Sequence, residues 1–261
     1  MKCHVIFFLK RPVSCFGMKG GVAMMDYSTI ELELCKTVGI SKRPVAVTFR
    51  SSPPRGIPKY AGKAPSGCSF FRIASGGMTF YTVPTDHYNC PLGCYSYNLP
   101  LSPGHSAKLK KSLESMQSAC SIELEGVQSI PRTDNNPEVV VYSPLGDTPV
   151  GPDVTVLVVK PLQAMFLQEA ALRKHIKLQV MPFSRPTCMC LHTVLDDTAV
   201  TSAGCMGSRV YNDLGDDEFY MLMPGRLVKR VAEEVQNIAT ANTKLAEYYL
   251  ERRNAIETMM E

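Results

Sequence analysis

The stretch VTVLVVKPLQAMFLQEAAL, residues 154–172, decides how this chain folds. Val154 to Val159 is a β-branched run of strand length. Pro161 then opens a helical pattern from Leu162 to Leu172, since its fixed φ and missing N–H suit a first helical turn. A strand handing over directly to a helix asks for α and β structure in one fold. Upstream, Val139 to Tyr142 is a second β-branched strand. Downstream, Cys188 to His192 fits no single pattern, Ala199 to Ser202 reads as a strand, and Phe219 to Met223 as another. Leu227, Val231, Val235, Ile238, Leu245 and Tyr249 then fall on one helical face, which predicts a long C-terminal helix to about Met259 with a break near Thr240 to Thr243.

The first half runs in the same order. Ser28-Thr29-Ile30-Glu31 has the form of a capping box ahead of Leu34 and Val38, so a helix is expected over 28–38 and Gly39 ends it. Pro44 to Phe49 reads as a strand, Ser51 to Pro58 as a loop, Cys68 to Ala74 as a short helix and Met78 to Val83 as a strand. Ser106 to Cys120 reads as a helix, followed by a polar connection from Pro131 to Pro137. The halves also share a cysteine pattern. Cys68, a strand and Cys90-Pro91-Leu92-Gly93-Cys94 parallel Cys188, a strand and Gly204-Cys205-Met206-Gly207. The expected fold is therefore α+β, with two related α/β halves at 26–135 and 136–261 and the long helix packed across them or against a second subunit. An internal duplication would explain the likeness; chance similarity of two Cys-rich segments is the alternative.

Composition removes several function classes. With 45% hydrophobic and 20% charged residues in 261, the chain carries a globular core, and no apolar run approaches the roughly 18 residues of a membrane span. The net charge of +4 is concentrated at one end: Lys2, Lys10, Arg11 and Lys19 face no acid in the first 25 residues, and the remainder balances to zero. That distribution gives no footprint for nucleic acid, and Lys108, Lys110 and Lys111 read as a solvated helix face. Residues 1–25 are expected to be a non-native or disordered extension. Val5 to Leu9 is too short for a signal peptide, and Lys19-Gly20-Gly21 would be encoded by purine-rich codons like a ribosome-binding site just before Met24 and Met25.

Ten cysteines carry the chemistry. In a chain of this length without an export signal they are expected to be reduced, and clustered thiols then point to metal or redox chemistry before disulfides. Nucleotide-binding glycine loops, the serine-hydrolase elbow, the zincin helix motif and the haem-attachment motif are all missing. Soft anionic sulphur suits zinc and iron-sulphur clusters, provided that three or four thiols converge. Cys90 and Cys94 share a face if their segment is helical, as do Cys188 and Cys190 if theirs is a strand. His87 and His192 are candidates to complete a mixed site, and Arg185 and Arg209 are cations near thiols. Cys35 and Cys120 read as core.

Cys68 with Ala74 and Gly76, Cys90-Pro91 with Gly93, Asp153 with Pro161 and Gln163-Ala164-Met165, Arg185-Pro186-x-Cys188, Gly204-Cys205-x-Gly207-x-Arg209 and Pro224-Gly225 together resemble the uncharacterised prokaryotic family called domain of unknown function 169. The resemblance spans about residues 28 to 250. It implies a cytoplasmic protein common in anaerobes and brings no activity with it. The family's cysteine pattern matches Cys68, Cys90, Cys188 and Cys205, while Cys94 and Cys190 are departures.

The leading expectation is a cytoplasmic iron-sulphur protein of redox or small-molecule metabolism. Cys68, Cys90, Cys188 and Cys205 are its expected ligands, Cys94 a reserve and Arg209 a supporting donor. The rivals are a structural zinc protein and a metal-free thiol enzyme or small-ligand-binding protein. Expected partners are a small-molecule substrate or a redox partner, with a homo-oligomer through the C-terminal helix; nucleic acid and membrane are not expected.

Overall fold

The structure is a computed structural model that describes residues 26–100, 102–118, 132–134, 136–180 and 187–260. Its centre is one seven-stranded sheet in the order β2-β3-β1-β4-β7-β6-β5. The strands are β1 (Val45–Arg50), β2 (Phe80–Thr82), β3 (Val139–Pro144), β4 (Val154–Val159), β5 (Lys177–Val180), β6 (Thr198–Ser202) and β7 (Phe219–Pro224). All neighbours are antiparallel except β5 and β6.

Helices cover both faces, which is why the central strands are apolar almost throughout. The two-residue strand period sorts them. Val45, Val47 and Phe49 of β1 and Val154 and Val156 of β4 point into one core. Ala46, Leu157 and Val159 point into the other. The first core is closed by α2 (Ser69–Ser75), α3 (Pro91–Ser96) and α6 (Cys190–Leu195), with α7 (Met206–Asn212) beside α2 and α4 (Pro103–Ser118) on α3. The second is closed by α1 (Tyr27–Val38), α5 (Pro161–Arg173) and the 33-residue α8 (Val228–Met260).

Several local expectations change. Asp26, not Ser28, caps α1, accepting from the Ser28 N–H at 3.1 Å. Glu31 turns away from a capping box to pair with Arg43 and to accept from the Gly146 N–H. The predicted break in α8 is absent: the helix is continuous, and the Thr240 and Thr243 hydroxyls donate to the carbonyls of Gln236 and Ala239 within it instead of ending it. Cys188 to His192 resolves into a short 3-10 turn leading into α6, so Cys188 and Cys190 are not face-sharing strand residues.

The expected boundary at 135/136 does not part the sheet. β3, beyond that boundary, lies between β2 and β1, pairing Tyr142 with Phe80 on one side and with Val47 on the other. β1 in turn pairs with β4, Val45 opposite Val156. The fold is α+β, with helices, a mixed sheet and a long C-terminal helix; the strand order does not by itself establish a duplication. Residues 1–25, Cys120 and Arg185 lie outside the described residues.

Candidate functional site

Four of the expected cysteines occupy similar positions. Cys68 precedes α2, Cys90 precedes α3, Cys188 lies in the turn before α6 and Cys205 precedes α7. All of these segments lie over the first core. Cys68 and Cys188 are buried, whereas Cys90 and Cys205 are partly buried.

The four thiols sense one another. Burial raises the Cys68 thiol well above its usual range, and Cys188, Cys90 and Cys205 push it further. Cys188 is raised first by burial and then by Cys90, with Cys205 adding to it. Cys90 is raised by burial, opposed by the Gly93 N–H and further by the N–H groups of Gly67 and Leu92. The Cys205 sulphur accepts the Ser208 N–H at 3.3 Å. Cys68, Cys90 and Cys188 are therefore held protonated when nothing positive is bound, and backbone N–H groups stand ready beside the Cys90 and Cys205 sulphurs.

Glycine allows the tight approach. A Cβ on Gly93 would stand 3.3 Å from the Cys90 sulphur, and one on Gly207 would stand 3.9 Å from the Cys205 sulphur. Tyr97, Tyr142 and Tyr220 border the same interior; burial raises all three, and Cys68 adds to each. Ser208 connects this wall to the thiols: its hydroxyl donates to the Tyr220 hydroxyl at 3.3 Å, and its hydrogen bond with Cys68 partly offsets the rise of that thiol.

The remaining candidates have other positions. Cys94 is fully buried beside Cys90 and is pushed up to about 12 by burial and then by Cys90. Cys190 points toward Ser202 of β6 and is pushed up to about 11 by burial. Cys35 sits half-buried on α1, at the edge of the other core. The Arg209 guanidinium donates to the carbonyls of Ala203, Gly215 and Glu218, so it ties α7 to the turn before β7. His192 sits half-exposed, 3.8 Å from Asp196.

His87 is buried among Phe70, Tyr97 and Tyr142. Its Nε2 meets the Thr82 hydroxyl at 2.7 Å, and that hydroxyl donates to the Val140 carbonyl at 3.2 Å. Thr82 therefore accepts the hydrogen bond from the Nε2–H of the ring, and burial holds the ring neutral with a pKa of about 3. The three tyrosines escaped sequence reasoning because each also reads as an ordinary strand or helix aromatic.

Comparison with known proteins bears on this geometry at the level of family. The model of domain of unknown function 169, described as "Uncharacterised ArCR", matches residues 33–234. The chain is also 26% identical over 178 residues to "Uncharacterized protein MJ0308" of Methanocaldococcus jannaschii, a match covering 65% of this chain and 76% of that protein. No solved structure matches the chain. The chain belongs to the domain of unknown function 169 family.

Proposed function

We propose that this family member is a cysteine-ligated metal protein, in its leading form an iron-sulphur protein of cytoplasmic redox or small-molecule metabolism. One observation carries the reading: Cys68, Cys90, Cys188 and Cys205, from four separate segments, share one interior and lie within electrostatic reach of one another. Ionising the buried thiols of Cys68 and Cys188 with Cys90 and Cys205 beside them is prohibitive without positive charge, and a bound metal supplies that charge while displacing the thiol protons.

The donor set is all sulphur, which suits iron-sulphur clusters and zinc. Among the described residues no three His, Cys, Asp or Glu side chains are already gathered at ligating positions. Binding would therefore draw the sulphurs together from their present places. The N–H groups of Gly93 and Ser208 would then donate to the ligating sulphurs and tune them.

A second reading is a metal-free thiol protein. Cys205 favours it, being partly exposed at a helix start with the Ser208 N–H on its sulphur. Anaerobic purification followed by an absorption spectrum and assays for iron, acid-labile sulphide and zinc separates the two. Brown protein with iron and sulphide supports the leading form, and colourless protein with stoichiometric zinc makes the metal structural. Metal-free protein alkylated selectively at Cys205 overturns the metal reading.

A further inference from the structure

The far end of α8 has no role in the thiol site. Val228, Val231, Val235 and Ile238 follow one another at alternating steps of three and four residues and are buried against the body. The same alternation continues without a skip through Asn242, Leu245, Tyr249, Arg252, Ile256 and Met259. Yet every residue from Thr243 to Met259 is exposed, Tyr249 by 59% and Met259 by 85%. Asn242 marks the exit, donating to Glu169 at 2.7 Å and to the Ile238 carbonyl.

A seam with this period, apolar except at Asn242 and Arg252, is the contact line of a helix pair. A solvated helix of this length is also marginal on its own, so it gains most from a partner helix. The residues in the seam identify that partner. In a parallel self-pair each position faces its own copy, and two Arg252 guanidinium groups would meet inside the contact. In an antiparallel self-pair the layers cross.

We propose that the exposed half of α8 docks against the same segment of a second copy of this chain, antiparallel about a two-fold axis. Tyr249 then meets the partner's Arg252, Leu245 meets the partner's Ile256, and Asn242 meets the partner's Met259, with each contact made twice. Arg252 over the Tyr249 ring is a cation-π pair. At the flanks Ala246 lies beside the partner's Arg253 and Tyr248 beside the partner's Ala255, so no like charges face each other. A two-fold contact of this kind closes on itself and gives a dimer, not a filament.

Light scattering or sedimentation of the full chain tests the pairing without reference to metal. The wild type should run at twice the mass of one chain; a monomer at every concentration overturns the proposal. Leu245→Glu and Ile256→Lys should each halve the mass while the body keeps its cooperative unfolding transition. The double variant Leu245→Glu with Ile256→Lys should regain the dimer, because the two substituted positions face each other with opposite charge. Single variants that remain dimeric overturn the contact, and a double variant that stays monomeric overturns the antiparallel register.

Discussion

At Cys68, Cys90, Cys188 and Cys205 the fold concentrates four thiols, and burial holds the first three protonated. Under the metal reading, Cys→Ser at any of the four should strip most of the bound metal, whereas Cys35→Ser and Cys190→Ser should retain it; metal content per folded chain, with circular dichroism as the control, checks this. Gly225 poses a purely steric constraint. A Cβ there would stand 2.0 Å from the Pro152 carbonyl oxygen, and the Gly225 N–H donates to Asp153 at 2.9 Å. Gly225→Ala should therefore destabilise the protein by about 1–3 kcal/mol or more, read from urea denaturation. His87 supplies a pH signature. Its pKa is about 3 in the folded protein against 6.5 ordinarily, so between these values the unfolded chain binds the extra proton. Stability from this group is full above pH 6.5 and falls as the solution is acidified toward pH 3, by about 1.4 kcal/mol per unit. His87→Gln should flatten that slope in denaturation measured from pH 7 to 4, and an unchanged slope would assign the acid sensitivity elsewhere.

Among the elements, legibility followed how much packing each one needed. β1, β3, β4 and β7 are buried on both faces, so their apolar runs were plain in the sequence. β5 was not, because Lys177-Leu178-Gln179-Val180 is short and polar at alternate positions, as its edge place in the sheet allows. The short helices α3, α6 and α7 were hidden, since six or seven residues hold too few turns to show a helical period, and α2, equally short, was read from its bulky residues and not from a period. α8 was visible through its stripe, but its two halves have different surroundings. Ile238 is 4% exposed and belongs to the second core, whereas Leu250 is 50% exposed. Ile238→Ala should cost about 2–5 kcal/mol in urea denaturation, and Leu250→Ala should change stability by less than about 0.5 kcal/mol. Equal effects would mean that the exposed half is bound to the body as firmly as the buried half.

For the whole molecule, the thiol pattern was legible because cysteine is rare enough for its spacing to stand out. What the spacing left hidden was the packing around it: the wall of Tyr97, Tyr142 and Tyr220 depends on how segments distant in sequence lie side by side. That same adjacency makes the two sequence halves dependent on each other. A fragment of residues 26–135 would hold β1 and β2 without the β3 that separates them, and would leave both edges of β1 unpaired. A fragment of residues 136–261 would keep the β4-β7-β6-β5 ribbon but expose Tyr142, Val140 and the apolar faces of Val154 and Val156 to water. Neither carries all four thiols, since Cys68 and Cys90 fall in the first and Cys188 and Cys205 in the second. Expressed alone, each fragment should lack a cooperative unfolding transition and bind no metal stoichiometrically, because unpaired strand edges and bare apolar faces favour aggregation. Mixing them under refolding conditions should restore both properties if β1 can pair with both β3 and β4, and β2 with β3, across the two fragments. Cooperative unfolding of either fragment alone would show instead that the halves fold independently and that the continuous sheet is a docking of two finished units.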